Sequence, residues 1–161
     1  MAPPSPKVLE IIVQAIYHEQ ASHDYYLQLV EAIHDESGRQ QFRHLAQEEF
    51  RHREVLEDRF RSLTGKRFRF DPKKLQPDPL PVPRTNASAI EALALAMEHE
   101  LEAVENYRKL AESAEDDDSR KTYLQLAEDE QSHHEWFRTQ RQALLSGIHW
   151  FIETLPGTLD R

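Results

Sequence analysis

Glu49-Phe-Arg-His52 recurs 81 positions later as Glu130-Gln-Ser-His133. The register that relates these two Glu-x-x-His patterns also relates residues 13–56 to residues 94–137 without a gap. Two further residues repeat in the same register, so that Glu19 and Tyr26 return as Glu100 and Tyr107. The chain is therefore built from two related halves, and the same glutamates, histidine and tyrosine recur in each at fixed spacing.

This spacing brings the side chains together if each half is helical. On an α-helix, residues three positions apart project from one face, so a Glu-x-x-His pair directs a carboxylate and an imidazole into the same space. Two such helices, with two more that supply one glutamate each, bring six ligands to the axis of a four-helix bundle. Carboxylate and imidazole suit iron and manganese better than copper(I). The six candidate metal ligands are Glu19, Glu49, His52, Glu100, Glu130 and His133.

Charge counting favours a pair of divalent ions. Four glutamate carboxylates carry four negative charges, which two divalent ions balance. We expect Glu49 and Glu130 to bridge the ions, because each shares a helix turn with a histidine, and we expect Glu19 and Glu100 to bind one ion each. Removing the metal is expected to raise the pKa of some of these glutamates and to destabilise the bundle.

Four more residues are candidates to orient the ligands. Each metal-binding histidine needs an acceptor for its second ring nitrogen. Glu48 and Asp129, each directly before a bridging glutamate, are matched candidates for that role. Tyr26 and Tyr107 lie two turns beyond the first glutamate of their half, on the same face. We group them with the catalytic residues, because their hydroxyls can hold a ligand carboxylate, supply electrons or trap radicals; an ordinary core position is the alternative.

The hydrophobic pattern predicts the fold around this site. Apolar residues recur at helical spacing in four segments, and prolines exclude helix over most of the stretch between the second and third segments. A helix of about 28 residues is about 42 Å long, and about 20 extended residues span that distance. The sequence therefore predicts one all-α domain over residues 1–161, a four-helix bundle with a long crossover. The predicted helices cover residues 6–35, 38–63, 87–115 and 118–146, and the crossover covers residues 64–86.

Two features point to contacts beyond one bundle. The segment after Gly147 is apolar, and it is predicted to form a short docking helix or a dimer contact; its apolar residues are Ile148, Trp150, Phe151, Ile152 and Leu155. The crossover is also long enough to pass the third and fourth helices to a neighbouring chain. We therefore expect a homodimer, either of intact bundles or with exchanged helices.

Composition excludes several classes of protein. The 161 residues include no Cys, so disulfides, thiolate zinc sites and a rubredoxin-type iron centre are excluded within this sequence. The net charge of −9, from 29 acidic and 20 basic residues, argues against nucleic-acid binding. No apolar run approaches the roughly 20 residues that span a bilayer, and the first residues lack the apolar stretch of a signal peptide. We expect a soluble cytoplasmic protein that does not bind a membrane.

The duplicated Glu-x6-Tyr and Glu-x-x-His patterns resemble those of the ferritin-like superfamily, and most closely those of the rubrerythrin group. The resemblance covers residues 7 to about 145. It implies a ferritin-like four-helix bundle and a di-iron centre that reacts with hydrogen peroxide or dioxygen. Two iron ions are the expected cofactor, with manganese as the alternative metal.

Two departures from the rubrerythrin pattern bear on function. Rubrerythrins typically carry a seventh carboxylate one turn after the third-helix ligand, and in this sequence that position is Ala103, while its counterpart in the first half is Ser22. The remaining six-ligand set is similar to the ferroxidase site of bacterioferritin. In addition, no rubredoxin domain can form without Cys, as in the single-domain erythrins, so electrons would come from a separate donor protein such as a rubredoxin.

Three functions are consistent with these features. The leading hypothesis is a rubrerythrin-like di-iron oxidoreductase that reduces hydrogen peroxide with electrons from an external donor, in defence against oxidative stress. The second is a ferroxidase or iron-handling protein of bacterioferritin type. The third is a metal-binding bundle without turnover.

Overall fold

Four long helices form the molecule. A computed structural model describes residues 3–33, 36–76 and 83–147, and within these residues it contains no strand. The helices are α1 (Pro6–Ala32), α2 (Glu36–Thr64), α3 (Asn86–Ser113) and α4 (Asp117–Leu145), and a single turn of 3-10 helix covers Pro72–Lys74. The predicted all-α four-helix bundle, with its long connection between the second and third helices, is confirmed.

Polar side chains set the starts of α2 and α3. The second helix was predicted to begin at residue 38, but α2 begins at Glu36 and includes Gly38. The acidic side chain of Glu36 favours the helix start through the helix dipole, and it accepts a hydrogen bond from Arg43 at 3.1 Å. At α3 the cap is Thr85, whose hydroxyl accepts from the backbone N–H of Ser88 in a capping box.

The bundle consists of two helical hairpins. Helix α1 packs chiefly against α2, and α3 packs chiefly against α4, with fewer contacts between the hairpins. Each half of the internal repeat therefore forms one hairpin. The two hairpins face each other across the bundle axis, which is the arrangement that brings equivalent residues of the two halves together.

Two hydrophobic clusters flank the middle of the bundle. One cluster contains Tyr25, Leu29, Phe42, Leu93 and Phe137. The other contains Ile12, Ile16, Leu56, Leu110 and Leu126. Along every helix, the candidate ligands fall between residues of one cluster and residues of the other. Because a fully buried Leu, Ile or Phe contributes about 1.5–3 kcal/mol, the clusters offset the cost of burying ionisable groups between them.

The first part of the crossover lies against α1 and α2. After Gly65, which ends α2 with a φ of +72°, Phe68 and Phe70 place their rings 6.0 and 4.9 Å from the ring of Tyr17. The guanidinium of Arg53 lies 4.1 Å from the centre of the Phe70 ring. These contacts fix the segment next to the turn of α1 that carries Glu19.

The predicted apolar segment after Gly147 lies outside the described residues, as do three of the crossover prolines. Among the helices that are described, none combines the length and the apolar character that a bilayer crossing requires.

Candidate metal centre

The six candidate ligands are buried together at the middle of the bundle. None is more than 4% exposed. Helices α1 and α3 supply one glutamate each, and α2 and α4 supply a Glu-x-x-His pair each. Taking an ionised side chain out of water costs several kcal/mol unless it is paired or bound to a metal. Six such groups in one place indicate a functional site rather than a chance accumulation of charge.

The six residues form two overlapping groups of four. Within each group the ligand atoms lie within 4.8 Å of one another. One group contains Glu19, Glu49, His52 and Glu130, and the other contains Glu49, Glu100, Glu130 and His133. Glu49 and Glu130 belong to both groups, which is the position that bridging carboxylates require. Glu19 and Glu100 belong to one group each, as terminal ligands do.

Both histidines direct their Nδ1 atoms into the site. His52 Nδ1 lies 2.7 Å from Glu130 Oε1 and 3.7 Å from Glu19 Oε2. His133 Nδ1 lies 2.9 Å from Glu49 Oε1 and 3.6 Å from Glu100 Oε2. The nearest carboxylate to each imidazole therefore comes from the facing Glu-x-x-His helix.

Several buried atoms of the site lack a hydrogen bond. They are Glu19 Oε2, Glu49 Oε1, Glu130 Oε2 and His133 Nδ1. Although His133 Nδ1 and Glu49 Oε1 are 2.9 Å apart, they are not oriented for a hydrogen bond. Buried polar atoms normally have partners. Oxygen and nitrogen atoms that converge without one are available to bind cations, and this carboxylate and imidazole donor set suits two divalent metal ions.

The second nitrogen of each histidine contacts a carboxylate, as predicted. His52 Nε2 lies 3.0 Å from Asp129 Oδ2, and His133 Nε2 contacts Glu48 Oε2. Each acceptor sits on the helix opposite its histidine. Because these contacts occupy Nε2, they leave Nδ1 to face the site, which fixes the ring orientation that a metal ligand needs. Burial acts to raise the pKa of Asp129, but its contacts with His52, Gln125 and Arg51 lower the pKa to about 2.

Sequence reasoning missed the residues that hold these acceptors. Gln125 donates to Asp129 at 2.9 Å, and His44 Nε2 lies 3.3 Å from Glu48. Both contacts join residues four positions apart on one helix, and position 44 corresponds to position 125 in the repeat. Arg51 adds a contact at 3.0 Å to Asp129 alone. The 81-residue repeat could have revealed His44 and Gln125 as a matched pair.

Replacing Asp129 with Asn, or Glu48 with Gln, is expected to weaken metal binding. The amide is a poorer acceptor for the histidine Nε2–H, so the imidazole becomes a weaker and less well oriented ligand. We expect a loss of roughly 10–100-fold in affinity for one of the two ions in each variant. Competition with a chromophoric chelator measures this loss.

Glu128→Gln is the matched control for both variants. Glu128 is exposed and lies directly before Asp129, so its replacement removes the same charge without touching a histidine. Equal affinities in Asp129→Asn, Glu48→Gln and Glu128→Gln proteins would contradict an orienting role.

The two tyrosines hold the terminal glutamates across the bundle. Tyr26 Oη donates to Glu100 Oε1, and Tyr107 Oη donates to Glu19 Oε1. Each phenol therefore binds the terminal glutamate of the other half of the repeat. Burial and the adjacent carboxylate raise the pKa of both phenols, which keeps them protonated donors. Since each hydroxyl occupies Oε1, the Oε2 atoms of Glu19 and Glu100 are the ones that face the histidines.

The four glutamates divide into two electrostatic pairs. Burial raises the pKa of Glu49 and Glu130, and the neighbouring carboxylates raise it further. Burial also acts to raise the pKa of Glu19 and Glu100, but the adjacent protonated carboxyl and the nearby imidazolium lower it. These opposite pKa shifts favour protons on Glu49 and Glu130 and negative charge on Glu19 and Glu100.

For the two histidines, burial and the neighbouring carboxylates shift the pKa in opposite directions. Burial acts to lower the pKa of His52 and His133, but the carboxylates close to their ring nitrogens raise it above its usual value. Two protonated glutamates and two imidazolium ions thus hold four protons in the cluster. These four protons carry the same total positive charge as two divalent ions.

A bundle of this topology with a buried carboxylate and histidine cluster at its centre defines a ferritin-like protein. The family model described as Rubrerythrin matches residues 10–141, and the chain belongs to the rubrerythrin family. Among solved structures, the chain is similar to a hypothetical protein from Pyrococcus furiosus, with 25% sequence identity and a TM-score of 0.78. That similarity covers 89% of this chain and 93% of the other. A comparison with curated proteins found no match.

Proposed function

We propose that this chain is a non-haem di-iron oxidoreductase that reduces hydrogen peroxide with electrons from an external donor protein. The observation that carries the proposal is the shared position of Glu49 and Glu130 between two four-ligand groups. Such sharing suits a pair of metal ions held close together. Family membership supports iron as the metal.

The protein's contribution is binding, orientation and exclusion of water. Two bound iron ions would supply the electron pair that cleaves the O–O bond of hydrogen peroxide. Glu19 and Glu100 are held by phenol hydroxyls and so present one fixed oxygen each. The flanking hydrophobic clusters keep bulk water from the site, which strengthens every electrostatic interaction within it.

The proposed reaction needs an electron donor outside this sequence. Reducing one hydrogen peroxide to two waters takes two electrons and two protons, and the sequence contains no Cys for a thiolate iron centre of its own. A rubredoxin-like donor docking on the outside of the bundle would complete the cycle. The homodimer, with or without helix exchange, stays a prediction alongside this partner.

A ferroxidase is the second candidate, and one observation favours it. Ala103 and Ser22 are both buried beside the cluster and neither offers a carboxylate. The ligand set therefore stays at six, as in the bacterioferritin-type site that it resembles.

Anaerobic loading with ferrous iron, followed by mixing with either oxidant, separates the two functions. We expect the near-ultraviolet absorption of ferric iron to develop at least about tenfold faster with hydrogen peroxide than with dioxygen, a difference of about 1.4 kcal/mol in barrier height. Catalase added before mixing is the control that removes peroxide. A rate with dioxygen equal to or above the rate with peroxide would favour the ferroxidase, and no absorbance change with either oxidant would exclude both.

A further inference from the structure

A cavity of about 180 Å³ opens between α1 and α3. Its buried side is formed by Ala15, Ala103 and Tyr107, and its exposed side is lined by polar residues. Those polar residues are Gln14, His18, Glu102 and Asn106. The cavity therefore leads from solvent to the small side chains next to the candidate metal centre.

One side chain connects the cavity with a candidate ligand. Tyr107 lines the cavity and its hydroxyl donates to Glu19 Oε1. Ala15 and Ala103 each contribute only a methyl group, and this small size is what leaves the space beside the Tyr107 ring. A larger residue at either position would fill it.

The internal repeat supplies a built-in comparison, because three polar residues of the cavity have apolar or aromatic counterparts in the other half. In the repeat register Gln14 corresponds to Leu95, Glu102 to Ala21, and Asn106 to Tyr25. Tyr25 and Ala21 are buried, and Leu95 packs against the adjoining hydrophobic cluster.

Beside Tyr25 and Ala96, in the described part of that half, lies a cavity of only about 10 Å³. Ala96 is the repeat equivalent of Ala15. The polar lining at positions 14, 102 and 106 is thus specific to one half and does not follow from the duplicated fold.

The size and the lining of the open cavity fit a small neutral oxidant. A site for one water needs roughly 10–15 Å³ of such volume, so the cavity holds several molecules of that size. The amides of Gln14 and Asn106 can donate to and accept from a peroxide. The carboxylate of Glu102 at the exposed side disfavours anions.

We propose that this cavity is the access and holding site for hydrogen peroxide, and that Ala103 and Asn106 set its size limit. The proposal rests on the peroxide-reducing function argued above. It assigns a role to the asymmetry between the halves: the two halves supply equivalent ligands, but the oxidant reaches them through the α1–α3 face beside Glu19.

Filling the cavity tests the proposal kinetically. Ala103→Leu fills the buried end, and Asn106→Tyr installs at the exposed end the residue found at the equivalent position of the other half. We expect each change to slow oxidation of the ferrous protein by hydrogen peroxide about tenfold or more, with the iron content per chain unchanged. Arg108→Tyr is the matched control, because residue 108 is exposed on the same helix and does not line the cavity. Rates within twofold of the parent protein in both variants would overturn the proposal while leaving the oxidoreductase function intact.

A structural readout tests access without turnover. Zinc is redox-inert, so crystals of zinc-loaded protein can be soaked in hydrogen peroxide without consuming it. We expect elongated density near Asn106 and Tyr107 in the parent protein, and we expect Ala103→Leu to abolish it. Density that is absent from the parent protein, or that persists unchanged in Ala103→Leu, would overturn the proposal even if the ferrous protein proved inert to peroxide.

Discussion

Removing the metal from the loaded protein is expected to lower its unfolding midpoint by about 10 °C or more at pH 8, and by clearly less at pH 5. Ions that bind only the folded state at a concentration of about 1,000 Kd stabilise it by about 4 kcal/mol. For a chain of this size each kcal/mol corresponds to about 2–4 °C. Differential scanning calorimetry of metal-free and metal-loaded protein, measured across this pH range, tests the prediction.

The pH dependence follows from the four protons of the metal-free cluster. Glu49 and Glu130 have folded pKa values raised above 4.5, and His52 and His133 have folded pKa values raised above 6.5. Their stabilisation is complete below the unfolded pKa and is lost as pH rises through the folded pKa, by up to about 1.4 kcal/mol per group per pH unit.

Glu19 and Glu100 do not offset this loss. Their folded pKa values are lowered, so their stabilisation is present above pH 4.5 and is lost only as pH falls. The metal-free protein should therefore weaken steadily from pH 5 to pH 9. Metal binding becomes tighter over the same range, because it displaces the protons.

Proton release provides an independent check on the same prediction. Loading two divalent ions near pH 7 should release about four protons per chain, two from glutamates and two from histidines. Titration calorimetry in buffers of different ionisation enthalpy counts them. Equal unfolding midpoints with and without metal at every pH, together with no proton release, would contradict the electrostatic account.

The fold and the candidate ligands were predictable because they depend on local periodicity. A three-residue spacing fixes which helix face carries Glu49 and His52, and the 81-residue repeat assigns the same face to the second half. The proline-rich stretch predicted the crossover by excluding helix. These features depend on backbone geometry alone, which sequence spacing encodes directly.

Hydrogen-bond partners on different helices were harder to predict from the sequence. Spacing indicates that Tyr26 and Glu19 share a face, but the structure pairs Tyr26 with Glu100 on the opposite hairpin. Such a pairing depends on how two hairpins dock, and no local pattern specifies it. The predicted start of the second helix at residue 38 was two residues late, because contacts of Glu36 with arginines on α2 favour helix from Glu36 onward.

The cavity was missed because it results from a difference between the halves. The ligands are found where the two halves of the repeat are alike. Asn106 is found where they differ, because its equivalent position in the first half is Tyr25. A polar residue in place of a buried aromatic one is visible in the sequence, but its consequence depends on the alanines packed beneath it.

Changing the two candidate bridging residues to Gln, as Glu49→Gln/Glu130→Gln, should abolish binding of the metal pair and yet leave the metal-free protein folded and stable. Gln has the shape of a protonated glutamate and carries no charge. Because both carboxyls hold protons in the metal-free cluster, the exchange alters little there. The stability lost between pH 5 and pH 9 should also become smaller, since two of the four titrating groups are gone.

The matched variant is Glu19→Gln/Glu100→Gln, which makes the same chemical change at the ionised pair. It removes the negative charges of Glu19 and Glu100, which lie 3.7 and 3.6 Å from the Nδ1 atoms of His52 and His133, and breaking a buried ion pair costs about 3–5 kcal/mol. Urea unfolding of the two metal-free double variants at pH 7 should therefore rank the terminal pair as far more destabilising, although both variants lose the metal. Equal stabilities would show that protons and charges are not divided between bridging and terminal glutamates in this way, and the charge balance inferred for the loaded centre would lose its basis.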